Sequence, residues 1–437
     1  MLNRFQNVFF ASWLQFPISM ITNVIVIRYL GPELRGEYVL LASFATILSI
    51  LASFSLPTSI VFHVSKKRIN HYSGFLIYLI FIFIFFIVSC SIILSLETLL
   101  SSINLIRSSN IISNKWFAIG LGFTLALNNF FNTVFLGEGK SRDYFVINLI
   151  KVTVLLVLII IFSINYSLSP LLVIIAMLFA NFLSCLSAFL LSQKSIFTIK
   201  NKSSKEPIPL KDILKYAIKR FPSSVFPMIV NQAPNWIIGQ ALGLKMLGLF
   251  SVALTFFNAS LSIPRALSSF LVGETSRRTS EEAAELASKS SRIYTVLMFM
   301  IFIGCIIFLP YLIPLLFGVA FIESYLPSII LVGSVIFTAS SSSLETYFLS
   351  INRPGLTTII NFFSMAGIVL LMPIFVSHFD LVGASLTFLF IRIMVWISLY
   401  FLFKKNVKKS LRIIIAPLSE LSNVIRSTLE RINIFKS

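Results

Sequence analysis

Six basic residues lie within stretches that are otherwise apolar: Lys151, Lys215, Lys219, Arg220, Arg265 and Arg392. A charge at the centre of a bilayer costs about 2.5–3.5 kcal/mol on insertion scales, so each needs a physical reason. Arg392 is the deepest, about 17 Å from either end of its stretch at 1.5 Å per helical residue. Arg265 follows Pro264 about 12 Å in from its nearer end, and Lys151 is about 10 Å in. Arg28 sits near one end of the first stretch. For Arg28, and for Lys215, Lys219 and Arg220 ahead of Pro222, snorkelling to the interface accounts for the charge. Arg265 and Arg392 are too deep for that, and the chemistry they offer is neutralisation of an anionic group carried into the membrane. Glu345 is the one acid well inside an apolar stretch. It suits a salt bridge to Arg265 or a proton or sodium site.

Uncharged polar residues add a second constellation. Ser19 and Asn23 stand i,i+4 on one face, as do Asn231 and Asn235, and Asn128 and Asn132 form a third such pair. Two readings are open. Each residue can hydrogen-bond between helices, worth ~0.6–2 kcal/mol per contact, or the set can line a hydrophilic cavity formed by the first, fourth, seventh and tenth spans.

Other chemistry is nearly absent, and no catalytic constellation emerges. The run Gly137-Glu138-Gly139-Lys140-Ser141 lacks the earlier glycine of a phosphate loop, where Val134 stands, and no strand precedes it. Cys90, Cys185 and Cys305 occur singly in different apolar stretches, and His63, His71 and His378 share no ligand spacing. Neither a metal site nor a disulfide framework is expected, nor is any cofactor beyond coupling to a proton or sodium gradient.

The elements that must position these groups are membrane helices. Of 437 residues 57% are hydrophobic, 12% are charged, and 45 are Phe. Soluble domains carry about 25% charge, so an all-α polytopic membrane protein is the reading. About twelve spans are predicted, near 6–30, 37–64, 73–98, 115–137, 144–164, 168–193, 213–242, 247–273, 293–317, 325–350, 355–377 and 380–403. With the N-terminus in the cytoplasm, 24 of the 35 Lys and Arg fall on the inner side and 5 on the outer. The positive-inside rule therefore sets both termini in the cytoplasm. The net charge of +19 follows from that bias and calls for no nucleic acid. Residues 194–212 form a polar cytoplasmic linker between bundles 1–193 and 213–404, and 405–437 form an amphipathic tail. Residues 274–292 are predicted as a short cytoplasmic helix with Thr279 and Glu282 at capping-box spacing.

The two bundles read as copies. Asn23, Leu30-Gly31, Gly36 and Tyr38 recur 212 positions later as Asn235, Leu242-Gly243, Gly248 and Phe250. Phe135-Leu136 ahead of Gly139-Lys140 recurs 213 later as Phe348-Leu349 ahead of Asn352-Arg353, and Ile147-Asn148 as Ile360-Asn361. Parallel halves with a substrate site at their interface are a transporter architecture.

The segment Arg28-Tyr29-Leu30-Gly31-Pro32-Glu33, followed by Gly36 and Tyr38 between the first two of twelve spans, resembles the Wzx-type polysaccharide flippases. These belong to the multidrug/oligosaccharidyl-lipid/polysaccharide (MOP) exporter superfamily. The resemblance implies two pseudo-symmetric six-helix bundles around a central cavity (a MATE-like fold), alternating access, and a bacterial inner membrane. The implied cargo is oligosaccharide on undecaprenyl pyrophosphate, as in O-antigen or capsule assembly, with membrane lipid and other glycan-assembly membrane proteins as partners. Under it Arg265, Arg392, Arg28, Lys151, Asn23, Asn235, Asn231, Asn128 and Asn132 are the substrate-binding candidates, and Glu345 the ion-coupling candidate. Basic groups with almost no acid would lower the desolvation cost of a pyrophosphate head. A cation-coupled drug exporter of the same fold would instead need acids in its cavity. A membrane glycan polymerase would need longer outer loops than these.

Overall fold

The computed structural model describes residues 2–66, 71–101, 114–197, 210–275, 279–351 and 353–407, almost wholly as α-helix and without a strand. Most of the expected linker and all of the expected tail beyond residue 407 lie outside these residues. In hydrocarbon every backbone N–H and C=O must be satisfied within the protein, which leaves helices as the way for continuous apolar runs to span. The helices are α1 (Leu2–Ser53), α2 (Leu56–Ser65), α3 (His71–Ser101), α4 (Lys115–Gly137), α5 (Ser141–Asn165) and α6 (Pro170–Phe197). They continue as α7 (Leu210–Ala241), α8 (Leu244–Thr275), α9 (Ser280–Phe317), α10 (Tyr325–Ser350) and α11 (Pro354–Asn406).

Nine described segments are long and apolar enough to cross a membrane, and two of them, Gln15–Ser65 and Gly355–Asn406, have twice the needed length. Each of the two has a break inside, at Gly31 (φ 70°, ψ 176°) and at Phe379–Asp380 (Asp380 φ 48°). Counted as two spans apiece, and with α7 added, they give about twelve. Helix α7 is the least apolar because Lys211, Asp212, Lys215, Lys219 and Arg220 stand in its first eleven positions and Asn231, Gln232 and Asn235 follow.

The capping box forms as expected. Glu282 N donates to Thr279 Oγ1 at 3.4 Å, and Thr279 N donates to Glu282 Oε2 at 3.1 Å. The helix it starts is not short, however. Helix α9 runs unbroken for 38 residues to Phe317, because no glycine or proline interrupts it before Gly304 and apolar residues follow the capped turn at once.

By packing, the chain forms two compact units, Met1–Gly248 and Leu249–Ser437. The seventh span packs with the first six, although the repeat boundary precedes it. Ser43 Oγ donates to Gln232 Oε1 at 2.8 Å, and Ser59 Oγ donates to the Ile213 carbonyl at 2.7 Å. Phe54 and Phe62 pack on Phe221 and Tyr216, with ring centroids 4.4 and 4.7 Å apart. Tyr78, Phe130, Phe135 and Ile147 centre the core of this unit. In the second unit Phe257 meets Phe388 at 5.2 Å and Tyr347 meets Phe403 at 4.9 Å.

The repeat is visible in backbone geometry. Gly31 and Gly243, 212 apart, both take the positive φ that favours glycine, at 70° and 87°. At the other offset, Lys140 N bonds Phe135 O at 2.8 Å and Arg353 N bonds Phe348 O at 3.0 Å. Those four residues are equivalent at 213.

Candidate functional site

The two copies of the first motif cross one another inside the first unit. A Cβ on Gly36 would lie 1.9 Å from the carbonyl oxygen of Leu244, and one on Gly248 would lie 1.8 Å from that of Pro32. Leu244 is the repeat equivalent of Pro32, and Gly248 of Gly36, so the contact is reciprocal. Each glycine admits the other copy's backbone, which is the packing that small residues allow between membrane helices.

Arg35 holds the first copy from within. It is only 6% exposed, and its Nη2 donates to Asn23 Oδ1 at 2.9 Å. Its guanidinium also lies over the Tyr38 ring, 4.8 Å from the centroid, and Tyr38 Oη bonds Met177 Sδ at 3.2 Å. Arg35, one of the five basic residues that the positive-inside count puts on the outer side, is thus a buried staple that reaches back across the Gly31 break. Nothing in its spacing signals this, because the contact spans a turn rather than one helix face. The second copy has Leu247 at the equivalent position. There Asn235, 7% exposed, donates through Nδ2 to Gln232 Oε1 at 3.3 Å, and its Oδ1 is buried with no partner.

The other polar candidates of this unit divide. Asn128, 4% exposed, donates to Asn181 O and Oδ1 at 3.0 Å each and accepts from Ser184 Oγ at 2.9 Å. Asn132 Oδ1 accepts from Asn148 Nδ2 at 2.7 Å. Both therefore join α4 to its neighbours. Asn231 is exposed and bonds back to Pro227 O on its own helix at 2.8 Å. Arg28 is exposed one turn before Gly31, and Lys151 is half-buried within electrostatic range of Cys185.

The second unit brings the deep charges together. Arg265 on α8, Glu345 on α10 and Arg392 on the second arm of α11 come from three helices, and Arg392 is within electrostatic range of each of the other two. Arg392 lies over the Phe388 ring, 4.8 Å from the centroid. Arg265 is exposed, and its Nη2 donates to Asn258 Oδ1 at 3.3 Å. The counter-charge felt by Glu345 is Arg392, not the Arg265 pairing read from depth alone. Depth orders residues along the membrane normal but cannot say which helices adjoin. The group holds two positive charges to one negative. No cluster of three or more His, Cys, Asp or Glu that could hold a metal occurs among the described residues.

This geometry can be set beside known proteins. Residues 6–272 match the family model for polysaccharide biosynthesis proteins, whereas no curated protein matches the chain. Among solved structures, a multidrug resistance MATE family transporter of the MOP superfamily, in an inward-facing conformation, is similar at a TM-score of 0.69. It is 17% identical, with 91% of this chain and 96% of that one covered. A MOP superfamily transporter from Pyrococcus furiosus, described by the reversed polarity of its binding pocket, is similar at 0.67. It is 15% identical over 92% and 95% of the two chains. The match covers more than half the sequence and the structural likeness nearly all of it: the chain belongs to the polysaccharide biosynthesis protein family and has the helical fold of the MATE and MOP transporters.

Proposed function

We propose that the chain is a flippase that moves oligosaccharide linked to undecaprenyl pyrophosphate across the bacterial inner membrane by alternating access, with both termini cytoplasmic. The observation that carries this reading is the trio Arg265, Arg392 and Glu345, a net-positive group inside the membrane-spanning part of a polysaccharide biosynthesis protein. A pyrophosphate head loses hydration on entering a low-dielectric site, and fixed cations with guanidinium N–H donors replace it. Arg265 is the more accessible of the two and meets the head first, while Arg392 is partly neutralised by Glu345. Protonation of Glu345 frees Arg392 for the anion, which would link transport to a proton gradient. No catalytic step is required, and other glycan-assembly proteins of the same membrane supply and consume the cargo.

The second reading, a cation-coupled multidrug exporter, is favoured by the fold likeness to a multidrug transporter. The charge sign of the trio weighs against it, because a cationic drug would meet two arginines. Deletion of the gene followed by lipid extraction separates the two. The flippase predicts accumulation of undecaprenyl-linked oligosaccharide on the cytoplasmic side. Unchanged lipid-linked glycan with altered drug tolerance would establish the exporter instead.

A further inference from the structure

Helix α7 presents a row of side chains that the charge-based account leaves unused. Gln232, Trp236 and Gln240 stand at i, i+4 and i+8, so they share one face over about 12 Å. Trp236 is 40% exposed, Gln240 is exposed and Gln232 is partly exposed. Gln232 lies eleven residues before the Gly243 turn, or about 16 Å along the helix, which is the middle of a ~30 Å hydrocarbon core. An amide facing lipid at that depth would be costly, so Gln232 needs polar company, and Trp236 and Gln240 continue the row to within about 5 Å of the turn.

The amide of Gln232 is already oriented. Its Oε1 accepts from Ser43 Oγ at 2.8 Å and from Asn235 Nδ2 at 3.3 Å. Both N–H donors of its Nε2 therefore point away from those partners. Asn235 Oδ1 remains buried without a donor. Turning both amides over would move the unpaired atom of Asn235 from oxygen to nitrogen without removing it. The indole is braced by Phe44, edge-on at 6.4 Å and 65°. The repeat equivalents of the row are Met20, Val24 and Arg28, so the amide–indole–amide pattern belongs to the second copy alone.

A flat aromatic face between fixed amide donors and acceptors complements one kind of ligand well: a ring with C–H groups on its faces and hydroxyls on its rim. We propose that the Gln232–Trp236–Gln240 face of α7 binds sugar rings of the cargo glycan, with Trp236 as the stacking platform and Gln232 and Gln240 as hydroxyl partners. The inference rests on the lipid-linked glycan reading and narrows it.

The test is equilibrium binding of a defined probe to full-length protein in lipid nanodiscs. The probe is the oligosaccharide released by mild acid from lipid extracts of the deletion strain, labelled at its reducing end and read by fluorescence anisotropy. Trp236→Ala and Gln232→Ala should each weaken binding roughly tenfold, the scale of one aromatic contact or hydrogen bond. Trp236→Phe should stay within about threefold of wild type, a rescue that mere packing of an indole would not give. Phe83→Ala, an exposed aromatic of α3, should change nothing. Gln240→Ala, at the exposed end of the row, serves where a larger truncation fails to purify, and should weaken binding about threefold. Wild-type affinity in Trp236→Ala or Gln240→Ala, equal losses in Trp236→Phe and Trp236→Ala, or no binding by the wild type overturns the proposal. These outcomes leave the flippase reading intact as long as the deletion strain still accumulates lipid-linked glycan.

Discussion

Replacing Gly36 by Ala tests the reciprocal crossing of the two motifs. The new Cβ would start 1.9 Å from the Leu244 carbonyl oxygen, and Gly248→Ala would put one 1.8 Å from that of Pro32. Ordinary contact begins at about 3.4 Å, so either change must push the crossing backbones apart by more than about 1 Å, which no rotamer can absorb. Overpacking of this kind costs typically ~1–3 kcal/mol, and rigid backbone puts each variant at the upper end. Because both contacts belong to one crossing, the first substitution opens the gap that the second requires. The double variant should then cost about as much as the worse single one, with a coupling of ~1–2 kcal/mol between the sites. Unfolding in mixed micelles by titration with dodecyl sulfate gives all three values. Wild-type stability in either single variant, or full additivity in the double, would refute the crossing.

Other variants read other regions of the structure. Gly31→Ala meets no atom within 4 Å but must hold φ 70° and ψ 176°, a region nearly exclusive to glycine, so a loss of about 1–3 kcal/mol is expected in the same titration. Asn128→Leu should destabilise by about 1–2 kcal/mol by breaking bonds to α6, whereas Asn231→Leu, bonded only within its own helix, should be near neutral. Equal effects would contradict the division between them. Glu345→Gln should export glycan but lose most of its response to an imposed proton gradient. An unchanged response in membrane vesicles removes Glu345 from any coupling role.

Much of the architecture was legible because it follows from local rules. Continuous apolar runs predict spans, and glycines at 31 and 243 mark reversals that L-residues resist. The Thr279–Glu282 spacing likewise predicts a cap that forms. The turns after Phe135 and Phe348 repeat down to the same hydrogen bond. Long-range contacts were not legible. A helix such as α3, apolar on every side, carries no periodic signal to separate the face on lipid from the face on a neighbour. For the same reason Asn128 reads equally well as glue or as cavity lining until Asn181 and Ser184 are found against it. Gly36 shows its use only once Leu244 is seen beside it, and Arg35 only once it bends back to Asn23. The sequence distance between partners, rather than any weakness of the motif, hid these contacts.

The central claim is that deep positive charge handles an anionic cargo. Its most direct measurement is export of lipid-linked oligosaccharide in the deletion strain complemented with Arg265→Gln, Arg392→Gln, Arg265→Lys or Arg392→Lys, with membrane insertion checked in parallel. A cation that only has to neutralise the head survives replacement by lysine to some extent, losing bidentate geometry while keeping its charge. The account predicts that both Gln variants insert normally and lose most export, and that both Lys variants retain a fraction of it. Normal insertion with wild-type export in both Gln variants would contradict it.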